Sequence, residues 1–134
     1  GSCTAIVSAV AIGWLLGASS ESLLSLAPKS ATLPIAMGVA EKIGGLPALT
    51  AMAVAATGIA GAIMAKPLLD LLRIRNPAVR GFAVGITAHA IGTARAFQVG
   101  DVNGAFAALA LALNGAATAL LMPLLVKALW PLLN

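Results

Sequence analysis

The sequence predicts an all-α integral membrane protein, a helical bundle of about five membrane segments with two interrupted (broken or re-entrant) helices. Three observations carry that class. Hydrophobic residues make up 60% of the 134 residues and charged residues only 9%, where a soluble domain carries about 25% charge. Mean hydropathy is +1.04, too high for a water-facing surface. Alternating ten-residue strand patterns are absent, so backbone polar groups inside a bilayer have to be satisfied within helices.

The same composition sets limits on function. Cys3 is the single cysteine, which excludes an intrachain disulfide or a cysteine-built metal site. The formal net charge of +4 is concentrated in one connecting stretch, where it marks topology and not nucleic-acid binding. Residues 1–17 have no basic start and lead into more apolar chain, unlike a signal peptide. The whole chain, residues 1–134, is expected to be one transmembrane domain.

Residues 3–17 form a first span, with Gly13 and Gly17 spaced as G-x-x-x-G for close helix approach. Ser19, Ser20, Glu21 and Ser22 break the pattern before a short apolar run at 23–27. Pro28 and Pro34 cannot share one regular helix, because each removes a donor and clashes with the preceding turn. Thr32 is placed to N-cap a new helix, with Pro34 in its first turn. That helix, residues 35–43, ends at Gly44-Gly45 and is too short to cross a bilayer, which takes about 20 residues. With 23–27 it makes an interrupted span or a re-entrant hairpin.

Residues 48–65 are an uncharged span rich in small residues, Thr57, Gly58 and Gly61 among them. Residues 66–80 alternate leucines with Lys66, Asp70, Arg73, Arg75 and Arg80 and are expected to form a short interfacial connection, cytoplasmic by its basic excess. Residues 81–100 are as apolar as a span yet contain His89, the one histidine, and Arg95. A turn is expected at 101–104, then a last span over 105–125 ended by Pro123 and Pro131, with Lys127 and Trp130 as interface anchors. If both interrupted segments cross fully, the chain makes five passes, Cys3 outside and Lys127 inside.

The interrupted segments share a pattern. Residues 36–41 (AMGVAE) and 90–95 (AIGTAR) align as A-x-G-x-A-charge. Paired broken segments point to a transporter binding site, although abundant Ala and Gly can produce such a match by chance. Full crossing makes the two copies parallel; an inverted pair requires one of them to be re-entrant.

An ionisable residue in a membrane segment is expensive and marks a site by default. Arg95 keeps its charge and offers a fork that matches a carboxylate. Its structural alternatives are an ion pair with Glu41, itself beside Lys42, or snorkelling to the interface. His89 can change charge near neutral pH and so couple transport to protons; the alternative is a neutral ring bonded to backbone. Six residues apart, His89 and Arg95 lie about 240° apart on a regular helix. Unwinding at Gly92-Thr93 would let them converge, and Gly38 offers the matching break. Lys29 with Ser30 and Thr32 forms a second polar cluster at a helix start, suited to an anion or serving as a cap beside a lysine. The expected substrate-binding set is Arg95, His89, Lys29, Ser30, Thr32, Gly92, Thr93 and Glu41. No Ser-His-Asp set or second histidine exists, so neither an enzyme nor a metal or cofactor site is expected.

Two stretches, LAPKSATLPIAMGVAEKIGG at 26–45 and RGFAVGITAHAIGTARAF at 80–97, with the connecting LLRIRNP, resemble the LrgB/CidB family of bacterial membrane proteins, YohK-like members included. The resemblance covers nearly the whole chain and implies the C-terminal portion of a longer, multi-pass protein of the bacterial inner membrane. It also implies one of two functions. One is a holin- or antiholin-like role, modulating murein hydrolase activity and lysis with a small LrgA/CidA-like partner, as a homo-oligomer. The other is transport of small monocarboxylates, since plastid relatives carry glycolate and glycerate and some bacterial members are linked to pyruvate. The residues favour a carboxylate carrier, with a cation in a broken helix.

Overall fold

The computed structural model describes residues 1–133, with side chains described for residue 1 and residues 3–125. Six helices follow one another: α1 (Ser2–Leu15), α2 (Ser20–Leu26), α3 (Leu33–Ile43), α4 (Pro47–Leu71), α5 (Pro77–Val99) and α6 (Asp101–Leu133). No strand occurs among the described residues.

Local chemistry sets most of the ends. Ser19 caps α2, its hydroxyl accepting from the Ser22 amide at 3.3 Å, and Asn76 caps α5 by accepting from Ala78 and Val79. Thr32 is the N-cap of α3 by position, with Pro34 in the first turn, but its side chain makes no capping bond. Gly44 closes α3 at φ 87°, a left-handed cap that glycine adopts without strain.

Helix α5 doubles back on itself. His89 has φ 39° and ψ −133°, so the helical path stops there and resumes in a new direction. A Cβ on Gly92 would lie 2.8 Å from the Val84 side chain, whereas eight residues of unbroken helix span about 12 Å. Arg80, Gly81 and Val84 line the same cavity as Arg95, Ala96 and Val99. The arms, residues 77–88 and 90–99, therefore start and finish at one end of the bundle. Each is about 17 Å long, roughly half the thickness of a hydrocarbon core.

The other helices pack around this hairpin. Gly81 and Gly85 meet the α6 backbone at Asn103 and Ala107, so the first arm runs parallel to α6 with no room for a side chain between them. That arm runs antiparallel to α4, with Arg80 near Lys66 and Leu69, and Ala88 against Gly61. Helices α4 and α6 are thus antiparallel. Leu69, Val84, Ala88, Ala96 and Ala107 form the core where α4, both arms and α6 meet. A second core joins α1, α3 and α6 through Ile6, Ala27, Val39 and Met122.

Several boundaries differ from the sequence expectation. The span expected at 48–65 continues through Pro67 to Leu71, so the interfacial connection shrinks to residues 72–76, turned by Arg73 at φ 56°. Asp101 begins α6 directly, in place of a turn at 101–104, and α6 runs on through Pro123. Gly13 packs against Leu23, but Gly17 sits in a turn with open space around it, so the pair is not one packing face. A full crossing by residues 81–100 is excluded because both ends of α5 come together. The expected anchors Lys127 and Trp130 fall outside the residues with described side chains.

The surface identifies the solvent. Pro47–Leu71 and Asp101–Leu125 are long and apolar enough to span a bilayer, with mean hydropathy 1.8 and 1.9, yet only 17% and 33% of them is buried. Leu16, Leu120 and Met52 are more than two-thirds exposed while half of the buried hydrophobic residues are alanine. A membrane protein shows this inversion; a soluble one of this size does not.

Candidate functional site

Two gaps in the helical path meet beside the middle of α4. At the α5 tip, His89 is 1% exposed and its Nε2 bonds to nothing among the described residues. An orphaned buried polar atom of this kind costs about 1–3 kcal/mol. The backbone around it is also strained, since a non-glycine residue holds a positive φ. The Thr93 hydroxyl donates to the His89 carbonyl at 2.8 Å, supporting the new arm where the break occurs. The imidazole rests on Gly58, where a Cβ would collide with it, and against the backbone of Val54.

The other gap is residues 27–32, between α2 and α3. Ser30 is buried, and Lys29 and Thr32 are half-buried. Polar side chains from the long helices hold this segment. Asn114 donates to the Ser30 carbonyl at 2.8 Å, and Thr118 donates to the Asn114 carbonyl at 2.8 Å. Thr50 donates to the Ser25 carbonyl at 2.8 Å, while the Ser25 hydroxyl donates to the Glu21 carbonyl and accepts from the Leu46 amide. Ala31 and Ala36 pack on Val54. Lys29 is the one charged side chain of this segment.

The two gaps therefore meet neighbouring turns of α4, at Val54 and at Gly58, and Asn114 lies near the middle of the span Asp101–Leu125. The Thr50, Thr93 and Thr118 hydroxyls and the Asn114 amide all donate to backbone carbonyls around these gaps. No cluster of His, Cys, Asp or Glu able to hold a metal occurs among the described residues.

The expected site residues divide between these gaps and the ends of the bundle. His89 and Thr93 lie at the α5 break, and Lys29, Ser30 and Thr32 lie in the gap between α2 and α3. Gly92 packs against Val84 and Ala88. The break lies at His89 itself, not at Gly92-Thr93, and it carries Arg95 away from His89. Arg95 is exposed, donates to Gln98 Oε1 at 2.6 Å, and shares an 80 Å3 cavity with Lys66 and Arg80 at the base of the hairpin. Glu41 is exposed in the last turn of α3, near the opposite end of α4, and no pair with Arg95 forms. Among the described residues the one ion pair is Arg80–Asp70 at 2.7 Å.

Asn114, Thr118, Thr50 and Ser25 were not singled out by sequence reasoning. Their signal was present, because a lone amide in the run LALALNGAATALL needs a partner inside a membrane.

Comparison with known proteins identifies the chain's relatives. Residues 1–128 match the LrgB-like family. Among individual relatives, the protein YwbG of Bacillus subtilis (strain 168) is 37% identical over 127 residues, covering 95% of this chain and 56% of that protein. A protein of Haemophilus influenzae is 33% identical over 126 residues, covering 94% and 54%. The antiholin-like protein LrgB of Bacillus mycoides is 30% identical over 124 residues, covering 92% and 54%. The chain thus spans about half the length of the curated relatives it matches. No solved structure matches it.

Proposed function

This chain belongs to the LrgB-like family, and on that premise we propose that the whole protein serves an antiholin-like role in the bacterial inner membrane. The names of the Bacillus relatives support this reading most directly. In this role the protein acts as a multi-pass homo-oligomer, restrains lysis and murein hydrolase activity, and works with a small LrgA/CidA-like membrane partner. Its membrane segments here are five: α1, α2 with α3, α4, α5 and α6, the second and fourth being interrupted.

One geometric observation favours a second reading, a carrier for small monocarboxylates of the glycolate, glycerate or pyruvate type. The α5 break at His89 and the gap that holds Lys29 both lie against α4, at Gly58 and at Val54, and the His89 Nε2 bonds to nothing among the described residues. Broken helices lining a midplane cavity are how carriers present backbone and side-chain donors to a substrate. In this reading Lys29 neutralises the carboxylate, and Ser30, Thr32, Thr93 and His89 orient it. Arg95 acts at the mouth, drawing anions towards the hairpin base with Lys66. Glu41, exposed at the far end, has no part. Neither reading contains a catalytic step.

Two assays on the full-length protein separate the readings. Proteoliposomes are tested for uptake of labelled glycolate, glycerate and pyruvate, and cells lacking the protein are scored for lysis with and without it. Saturable uptake lost in Lys29→Gln supports the carrier. Restored control of lysis that persists in Lys29→Gln, without uptake, supports the antiholin-like role alone.

A further inference from the structure

Helices α4 and α6 begin 54 residues apart, at Pro47 and Asp101, and the same spacing relates Gly38 to Gly92 and Gly61 to Gly115. The correspondence extends to contacts. Gly61 of α4 lies against Ala88 at the tip of α5, its Cβ position 2.7 Å from the alanine methyl. Gly115 of α6, the counterpart of Gly61, lies against Ile35 just past the other gap, its Cβ position 2.9 Å from Cδ1. Ile35 is in turn the counterpart of His89. Each gap is thus pressed on the crossing helix of the other half, with Asn114 bonding Ser30 on one side and Gly58 seating His89 on the other.

Each gap also sits beside its own crossing helix in one sense. Ser25 contacts Leu46 and Thr50 in the first turn of α4, and Ala31 reaches Val54 further along. Gly81 contacts Asn103 in the first turn of α6, and Gly85 reaches Ala107 further along. In both halves the entering arm runs parallel to the crossing helix that follows. Since α4 and α6 are antiparallel, the two halves point in opposite directions.

We infer that the chain holds two units of one build, residues 20–71 and 77–125, each a re-entrant hairpin followed by a crossing helix, inserted in opposite orientations so that each hairpin tip is seated on the crossing helix of the other unit. Charge sorts accordingly. Lys66, Arg73, Arg75, Arg80 and Arg95 gather at the base of the α5 hairpin against Asp70 and Asp101, and Glu21, Glu41 and Lys42 lie towards the other end. The basic end is cytoplasmic by the usual bias. The α5 hairpin then enters from the cytoplasm and the α2–α3 hairpin from outside, an arrangement that on the carrier reading gives one gate for each face. The identity of the ligand as a small carboxylate rests on the carrier reading above; the inverted architecture does not.

The test is sided labelling of the full-length protein in a cysteine-free background. Single cysteines at Ser20, Gly45, Arg75 and Asp101 are treated with a membrane-impermeant maleimide in right-side-out and inside-out vesicles. The expected result is that Arg75→Cys and Asp101→Cys label only from the cytoplasmic face, and Ser20→Cys and Gly45→Cys only from the other. Labelling of Arg75→Cys and Asp101→Cys from opposite faces overturns the inference, because α5 would then cross. Two disulfide pairs read the tips: Gly61→Cys with Ala88→Cys, and Ile35→Cys with Gly115→Cys. Both are expected to form, and formation of one without the other overturns the symmetric pairing. If labelling and cross-linking succeed while no carboxylate is taken up by proteoliposomes, the carrier reading fails and the inverted architecture stands.

Discussion

The tip and the base of the α5 hairpin treat polar groups in opposite ways. At the tip a single imidazole is 1% exposed, carries an unbonded Nε2 and sits on a strained backbone. At the base Arg80, Arg95 and Lys66 share an 80 Å3 cavity, with Arg95 bonded to Gln98 and Arg80 to Asp70. Charge at the base needs little from the protein, because the long side chains reach the interface. The polar tip persists only because α4, α6 and the α2–α3 segment cover it. Groups held against their preference are the better indicators of function.

The comparison is broken most severely where the hairpin meets α6. Gly85→Leu forces a side chain into the Ala107 backbone, and we expect a loss of about 3 kcal/mol or more, read as failure to recover a monodisperse protein in detergent. A smaller effect is expected from removing the amide that holds the other gap: Asn114→Ala loses the bond to the Ser30 carbonyl, at a cost of about 1–3 kcal/mol. Thermal unfolding in detergent measures it, and an unchanged midpoint would mean that the gap is held by other contacts.

At the tip itself, His89→Gly and His89→Ala both remove the ring, but only glycine suits φ 39°. The glycine variant is therefore expected to be more stable than the alanine variant by about 1 kcal/mol, and on the carrier reading both lose uptake. Equal stability would show that the strain is absent in the membrane. At the base, Arg95→Gln is expected to change stability by no more than about 0.5 kcal/mol. On the carrier reading its effect falls on the salt dependence of uptake, which flattens because a cation that attracts the anion from solution is gone.

The class of the fold was legible from composition alone, and its punctuation from single residues: Gly44 as a left-handed cap, Asn76-Pro77 as a helix start, Pro28 and Pro34 as the limits of a gap. The direction of α5 was not legible. A sequence of 20 apolar residues looks the same whether it crosses or returns, and the break falls on a histidine with no local signal for positive φ. That displacement moved Arg95 from the expected site to the base. The A-x-G-x-A repeat was visible, but its meaning required α4 and α6 to be seen running in opposite directions. Asn114 was overlooked because its partner is a backbone carbonyl 84 residues away.

On the carrier reading the ligand is held at Lys29 and not at the hairpin base, and the most direct test compares two charge-removing variants in one uptake assay. Full-length protein in proteoliposomes is given labelled glycolate, with wild type beside Lys29→Gln and Arg95→Gln. Saturable uptake abolished by Lys29→Gln and only weakened by Arg95→Gln is the predicted result. Abolition by Arg95→Gln with Lys29→Gln intact would place the site at the hairpin base and contradict the account.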